Sequence, residues 1–170
     1  MLRVLATGVD RLEVSARGSL RADVLRALER AKAEAQRSRD GEPFAFASWE
    51  RGFLVLPHGR RAYPYVLLGR GCGLMVRGNG ELPPVRADIY SGYLDTVGAE
   101  RAASAVEELL SALFVVSPEV TVSRVDVYAD VQGWSFEVED VRRFVTRAQQ
   151  RRAYQGGRRC TGSPFGRAGR

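Results

Sequence analysis

The stretch SRVDVYADVQG, residues 123–133, decides the fold class because its polarity alternates from one residue to the next. The apolar members of the alternation are Val125, Val127, Ala129 and Val131. The members between them are Arg124, Asp126, Tyr128 and Asp130. A period of two is typical of a β-strand with one apolar and one polar face. Aspartate is depleted in strands, so two aspartates on one polar face require a physical reason.

The chain before this strand contains further strands and two amphipathic helices. Alternation predicts a strand over 10–18, and helical spacing predicts a helix from Leu20 to about Arg37, capped by Ser19 and ended by Asp40-Gly41. Two hairpins follow: one over 44–56 turning at Arg51-Gly52, and one joining 64–69 to 73–77.

The remaining elements complete a mixed α and β order. VRADIYS, residues 85–91, is a second strand with an acid, Asp88, on its polar face. A helix is predicted from Ala99 to about Phe114, then the strand over 120–131, then a helix over 138–150. This order predicts an α+β fold, an antiparallel sheet backed by helices, over residues 1–150. Residues 151–170 are predicted to be a basic, Gly- and Arg-rich tail, either a loop or a strand without a partner.

Length and composition exclude several function classes. The 170 residues, 45% hydrophobic, suit one folded domain. The longest mainly apolar stretch, 109–116, has eight residues including Ser111, against the roughly 20 of a membrane helix. No secretory signal is recognisable, so we expect a cytoplasmic protein without a membrane partner. His58 is the only histidine, which excludes a site needing two histidines. Cys72 and Cys160 are interpreted as ordinary thiols.

Positive charge is concentrated at the C-terminal end. The chain has a net charge of +6, yet nine arginines and no acid lie between 141 and 170, which leaves about −3 for the rest. Such a segment is typical of binding to a polyanion such as DNA. The alternative is a solvated helix face followed by a frayed end. The arginines predicted to contact DNA here are Arg142, Arg143, Arg147, Arg151, Arg152, Arg158 and Arg159.

The strand aspartates suggest a divalent metal. Asp88, Asp126 and Asp130 could present carboxylates to Mg²⁺ or Mn²⁺, which prefer oxygen ligands. Asp126 and Asp130 are four residues apart, roughly 13 Å along a strand, so we expect only one, preferably Asp126, to bind the ion with a neighbouring strand. The alternative is that the acids pair with Arg124 and Arg86.

The aromatic residues of the two polar faces are also ambiguous. Tyr128 and Tyr90 could stack on unpaired bases. Alternatively, they only cover the sheet.

Four segments together resemble a known family: GVDRLEVSARGSL, LPPVRADIYSGYL, VSRVDVYADVQGWSFEVEDVRRFV and RRCTGSPFGRAGR. Their order resembles that of rolling-circle replication initiation proteins of plasmids and phages, especially actinobacterial ones. Members nick one strand of origin DNA and keep the 5′ end on a tyrosine, using a divalent metal held by a sheet related to relaxase and RNA-recognition palms. The resemblance implies that Asp126 or Asp130 lies in the metal region and that Arg124 and the basic tail approach DNA.

Two departures from the family pattern limit the expected activity. Members continue into a strand of the type RLYDK that contains the nucleophilic tyrosine, whereas this chain stops at Arg170 and Tyr154 does not match the motif. Gly92 stands where members tend to have glutamate. We therefore expect the DNA-binding portion of an initiator that does not complete strand transfer. The alternatives are a non-catalytic DNA- or RNA-binding regulator and a truncated reading frame; a helicase partner and homodimerisation stay open.

Overall fold

The computed structural model describes residues 2–46, 49–78 and 80–133, together with four short strands between 150 and 166. The chain divides into two compact units. One unit is Thr7–Ala129, and the other combines Met1–Ala6 with Asp130–Arg170. The first unit contains most of the regular structure and is described first.

Seven strands and three helices make up the part of the chain up to residue 133. The strands are β1 (Arg3–Arg17), β2 (Glu42–Phe46), β3 (Trp49–Val55), β4 (Tyr65–Leu68), β5 (Cys72–Val76), β6 (Val85–Ile89) and β7 (Glu119–Gln132). The helices are α1 (Ala22–Ser38), α2 (Ser91–Val97) and α3 (Ala99–Leu113). The strands form one sheet in the order β2-β3-β4-β5-β6-β1-β7.

Pairing in the sheet is antiparallel, which confirms the predicted α+β class. β2 to β6 follow one another along the chain as a meander, and β1 then pairs antiparallel with β6. β7 lies on the outer side of β1. β1 is thus inserted between the two strands whose polar faces contain the predicted acids.

The alternation of the strands gives the sheet two different faces. On one face, apolar side chains such as Leu12, Leu74 and Ile89 pack against the apolar sides of α1 and α3 to form the core. Helix α1 contributes the fully buried Leu28, and α3 contributes Leu109 and its apolar neighbours. We call the other face the open face; its polar members on β1, β6 and β7 include Arg11, Glu13, Arg86, Asp88, Arg124 and Asp126.

Two local predictions were wrong. The first hairpin exists, but Arg51 and Gly52 lie inside β3 and not in its turn. Gly52 has φ +59 and lies beside a register shift between β2 and β3. The glycine therefore allows a local irregularity within β3 and does not form the hairpin turn. Helix α1 begins at Ala22, after an Arg21 N-cap without a side-chain capping bond, so Ser19 is not its cap.

Three other elements differ from the prediction or lie outside the described residues. β1 extends seven residues further towards the N-terminus than predicted, and the short helix α2 was not predicted. The helix predicted over 138–150 falls almost entirely on residues outside the described ones. In the second unit, β8 (Gln150–Arg151) pairs with β11 (Phe165–Gly166), and β9 (Tyr154–Gly156) pairs with β10 (Arg159–Gly162).

Candidate functional site

The open face contains a network of arginines and carboxylates that begins at Asp88. Glu13 of β1 is directly opposite Asp88 of β6 in the sheet register. Arg11 lies two residues from Glu13 and contacts both acids: its Nε donates to Asp88 Oδ1 at 3.0 Å and lies 3.1 Å from Glu13 Oε1. The hydrogen bond to Asp88 is the main reason that the pKa of Arg11 is raised, so this guanidinium is firmly charged.

Glu13 connects the three strands of the network. Its Oε2 accepts a hydrogen bond from Arg86 Nη2 on β6 at 3.0 Å. Its Oε1 lies 3.6 Å from Arg124 Nη1 on β7. One half-buried carboxylate therefore balances guanidinium groups from β6, β1 and β7, which fixes their positions relative to one another.

Asp126 is paired within its own strand. Arg124 and Asp126 are two residues apart on β7, so their side chains share a face, and Arg124 Nε donates to Asp126 Oδ1 at 2.9 Å. This hydrogen bond holds the pKa of Asp126 below its usual range and raises that of Arg124. Both side chains are well exposed, so the pair contributes little to stability.

The network borders a depression of about 400 Å³. Its charged lining has five arginines but only two carboxylates: Arg11, Arg60, Arg61, Arg86 and Arg124 against Glu13 and Asp88. The uncharged lining is Tyr63, Met75 and Ser123. The depression therefore has an excess of positive charge.

Two of these arginines come from a tight turn between β3 and β4. Arg60 and Tyr63 exchange both backbone hydrogen bonds, at 2.9 and 3.1 Å, and Arg61 takes a left-handed conformation with φ 54. Tyr63 is buried, and its hydroxyl donates to the carbonyl of Pro83 at 3.0 Å. The turn is thus anchored, and it places two exposed guanidinium groups beside the sheet.

Two tyrosines lie against glycines of the sheet. A Cβ added to Gly73 would be 2.7 Å from the Tyr90 hydroxyl, and one added to Gly8 would be 2.7 Å from the Tyr128 ring. Tyr128 also donates a hydrogen bond to Asp95 of α2 at 3.2 Å. Both tyrosines are half-buried.

The predicted site residues fall into three groups. Asp88, Asp126, Arg124 and Tyr128 all lie on the open face of Thr7–Ala129, although β1 separates the first of these from the others. Asp130 belongs to the second unit. Arg151 and Arg159 lie on short strands of that unit, whereas Arg142, Arg143, Arg147, Arg152 and Arg158 are outside the described residues.

Sequence reasoning missed four charged residues of the site. Arg11 and Glu13 alternate with Leu12 and Val14, so the polar positions of the predicted first strand were a usable signal. Arg60 and Arg61 follow the turn-like LPHG segment, which gives no indication of what that turn faces.

Binding of a divalent ion by these acids stays a prediction. Asp88 and Asp126 are each held by a guanidinium group, so an ion bound there would have to displace Arg11 or Arg124. Among the residues that the structure describes, no group of three His, Cys, Asp or Glu side chains is placed to hold a metal ion. The arrangement corresponds to the ion-paired alternative, with Arg11 and not Arg86 as the partner of Asp88.

The buried cysteine has no reactive character. Burial raises the pKa of Cys72 to about 12, so its thiol stays protonated at neutral pH. This agrees with its interpretation as an ordinary thiol.

Comparison with known proteins identifies no relative: no family model, no curated protein and no solved structure matches the chain. Within the described part of the chain, none of the helices is both long and apolar enough to cross a membrane.

Proposed function

We propose that this chain is a DNA-binding module of the rolling-circle initiator type, and that its open sheet face holds the phosphate backbone. The observation that supports this most directly is the depression with five arginines and two carboxylates on an exposed face. Guanidinium groups bind phosphate oxygens through paired N–H donors, and an excess of such groups attracts a polyanion.

The two kinds of arginine in the depression have different roles in this proposal. Arg11, Arg86 and Arg124 are held in place by carboxylates, so they are positioned before the ligand arrives. Arg60 and Arg61 form no ion pair among the described residues and supply the uncompensated charge. Phosphates are therefore expected to contact the turn first.

Binding of a labelled single-stranded oligonucleotide, followed by fluorescence anisotropy over a range of salt concentrations, tests this role. We expect Arg60→Ala with Arg61→Ala to weaken binding and to reduce the slope of log K against log salt by roughly 1.4, since each phosphate contact to a single strand contributes about 0.7.

The matched control for this experiment is Arg26→Ala with Arg30→Ala. These two exposed arginines lie on α1, which packs on the other face of the sheet, and the control removes the same charge. Equal losses in the two double variants would refute the assignment of phosphate binding to the open face.

The second candidate function is a non-catalytic DNA- or RNA-binding regulator. The ion pairs of Asp88 and Asp126 favour it, because carboxylates held by arginines have a structural role without any metal. Incubation of supercoiled plasmid with the protein and Mn²⁺ separates the two candidates. Open circles that disappear in Asp126→Asn would favour a metal-dependent nicking activity, whereas binding without nicking would favour the regulator.

A further inference from the structure

We propose that two copies of this chain associate through the outer edge of β7, so that their sheets join across a two-fold axis at Val125. The partner is therefore a second copy of the chain. The inference goes beyond the proposed function, because it concerns a contact between protein chains that requires no nucleic acid.

The two edges of the seven-stranded sheet differ in how far they are protected against pairing. An outermost strand presents backbone N–H and C=O groups to another chain, and proteins commonly block such edges with short strands, proline, lysine or strand irregularities. β2, at one edge, has five residues, includes Pro43 and has a register shift against β3. β7, at the other edge, has 14 residues and contains no proline, glycine or lysine. Among the strands that the structure describes, β7 is therefore the edge better suited to accept a further strand.

The side chains of β7 also leave apolar surface exposed. Val125 and Val127 share one face of the strand and are 50% and 76% exposed. Val122 is exposed as well. Removal of apolar surface from water is the main favourable contribution to most associations between proteins. A strand added beside β7 would therefore be stabilised by contact with these valines.

Two-fold symmetry restricts the register of a pair formed by two β7 strands. Successive residue pairs in an antiparallel ladder alternate between hydrogen-bonded and non-hydrogen-bonded types. A two-fold axis relates only pairs of the same type, so it has to pass through a residue that faces its own copy. Every other residue then faces one that lies an even number of positions away. Arg124 and Asp126, two positions apart, can therefore meet across the interface.

Charge complementarity favours an axis at Val125. Each Arg124 then faces Asp126 of the partner subunit, and directly opposed unlike charges stabilise strand pairing. An axis at Arg124 or at Asp126 would place like charges opposite each other, and one at Val127 would leave Asp126 without a basic residue opposite.

The charges specify the register more than they add affinity. In the single chain, Arg124 Nε donates to Asp126 Oδ1 at 2.9 Å, so association exchanges an ion pair within one strand for ion pairs between two strands. Such an exchange rejects registers that leave the charges unpaired but changes their total number little. Backbone hydrogen bonds along the edge and the exposed valines supply the affinity.

Sedimentation velocity of the 170-residue chain over a dilution series, without nucleic acid, tests the association. We expect the unaltered protein to reach twice the monomer mass as its concentration rises. Arg124→Asp places acids at both charged positions, and Asp126→Arg places arginines at both. Each variant alone would oppose like charges and should associate about tenfold more weakly or less.

An equimolar mixture of these two variants keeps the result independent of folding defects. The acidic strand of one variant faces the basic strand of the other in the same register, so the mixture should regain the association that each variant loses. A misfolded variant would not be rescued in this way. Arg26→Asp, on the exposed surface of α1, changes the net charge as much as Arg124→Asp does and should leave association unchanged.

A cysteine at the axis tests the register. Val125→Cys would face its own copy at a Cα distance of about 4.5–5.5 Å, which a disulfide spans. Val127→Cys, on the same face, would be offset from its copy by four positions, roughly 13 Å along the strands, and beyond that range. The background is Cys160→Ser, in which the remaining thiol, Cys72, is buried. With oxidised glutathione, we expect a covalent dimer from Val125→Cys and none from Val127→Cys.

The outcomes are independent of the proposed function. A monomer at every concentration of the unaltered protein would refute the inference. Association that neither charge variant weakens, or equal cross-linking at positions 125 and 127, would refute the pairing of β7 in this register. None of these results bears on phosphate binding by the open face, which the anisotropy experiment measures separately.

Discussion

At the scale of single residues, the ion pair between Arg124 and Asp126 determines how much positive charge β7 offers to a ligand. The carboxylate offsets the guanidinium at a hydrogen-bond distance of 2.9 Å. The two residues are neighbours on one face of the same strand, so no rearrangement of the fold is needed to separate them. Removal of the acid should therefore change binding more than folding.

We expect Asp126→Asn to strengthen binding of single-stranded DNA about two- to fivefold at low salt, since an exposed pair of this kind is worth up to about 1 kcal/mol. Fluorescence anisotropy measures this change, and the gain should diminish at high salt. Weaker DNA binding in the variant, together with loss of Mn²⁺ binding in a titration, would instead indicate that Asp126 is a metal ligand.

The difference in stability between the wild type and Asp126→Asn should depend on pH. Arg124 lowers the pKa of Asp126 in the folded state, so the pair stabilises the protein above the ordinary carboxyl pKa and loses this effect as the pH falls through the lowered value. The difference in melting temperature between the wild type and Asp126→Asn should therefore be small at pH 7 and vanish in acid. A difference that grows on acidification would contradict the pairing.

At the scale of elements, one glycine separates two helices. Gly98 lies between α2 and α3 with φ 84 and ψ 153, a conformation that is essentially restricted to glycine, yet a Cβ there would meet no atom within 4 Å. We expect Gly98→Ala to lower the free energy of unfolding by about 1–3 kcal/mol through backbone strain alone. Urea denaturation of the wild type and the variant measures this difference in the free energy of unfolding.

Gly92 provides the control for that measurement. It lies in the first turn of α2, also has open space around its Cα, and has no positive φ. Gly92→Ala should be neutral or slightly stabilising, because alanine favours the helix and restricts the unfolded chain. Similar destabilisation by both substitutions would show that the backbone conformation of Gly98 does not determine the loss of stability.

Element types and the two hairpin pairings, β2 with β3 and β4 with β5, were predictable because they depend on local periodicity, whereas the turn of the first hairpin and the pairing of strands distant in sequence were not. Gly52 has the same sequence signature in a turn as in a strand irregularity, and only the register of β2 with β3 distinguishes the two. The insertion of β1 between β6 and β7 joins residues more than 70 positions apart, as in the contact of Arg11 with Asp88. No local pattern encodes such a pairing.

At the scale of the whole molecule, several charged residues of the candidate site were predictable from the sequence, but their ion-pair partners were not. The polar faces of two strands correctly indicated where Asp88, Asp126 and Arg124 lie. Their partners come from β1 and from the Arg60–Arg61 turn, which the topology brings to the same face. The acids that suit a metal in each single strand are paired with guanidinium groups in the assembled sheet, Asp88 with Arg11 and Asp126 with Arg124. Metal binding by these acids stays a prediction.

The distribution of charge along the chain leads to the last prediction. Nine arginines and no acid lie in 141–170, while the rest of the chain has a net charge of about −3, so nonspecific DNA binding should depend strongly on the basic tail. In the 170-residue chain, replacement of Arg151, Arg152, Arg158 and Arg159 by alanine should reduce the salt slope of single-strand binding by up to roughly 3.

A second variant with four replaced arginines distinguishes phosphate binding by the tail from a general effect of net charge on affinity. Replacement of Arg26, Arg30, Arg37 and Arg101 removes the same charge from the exposed surfaces of α1 and α3. If only the net charge of +6 mattered, both variants would lose the same affinity, because both retain +2. If the tail contacts phosphates, its variant alone should show the reduced slope, since counterions are released only where cations and phosphates meet.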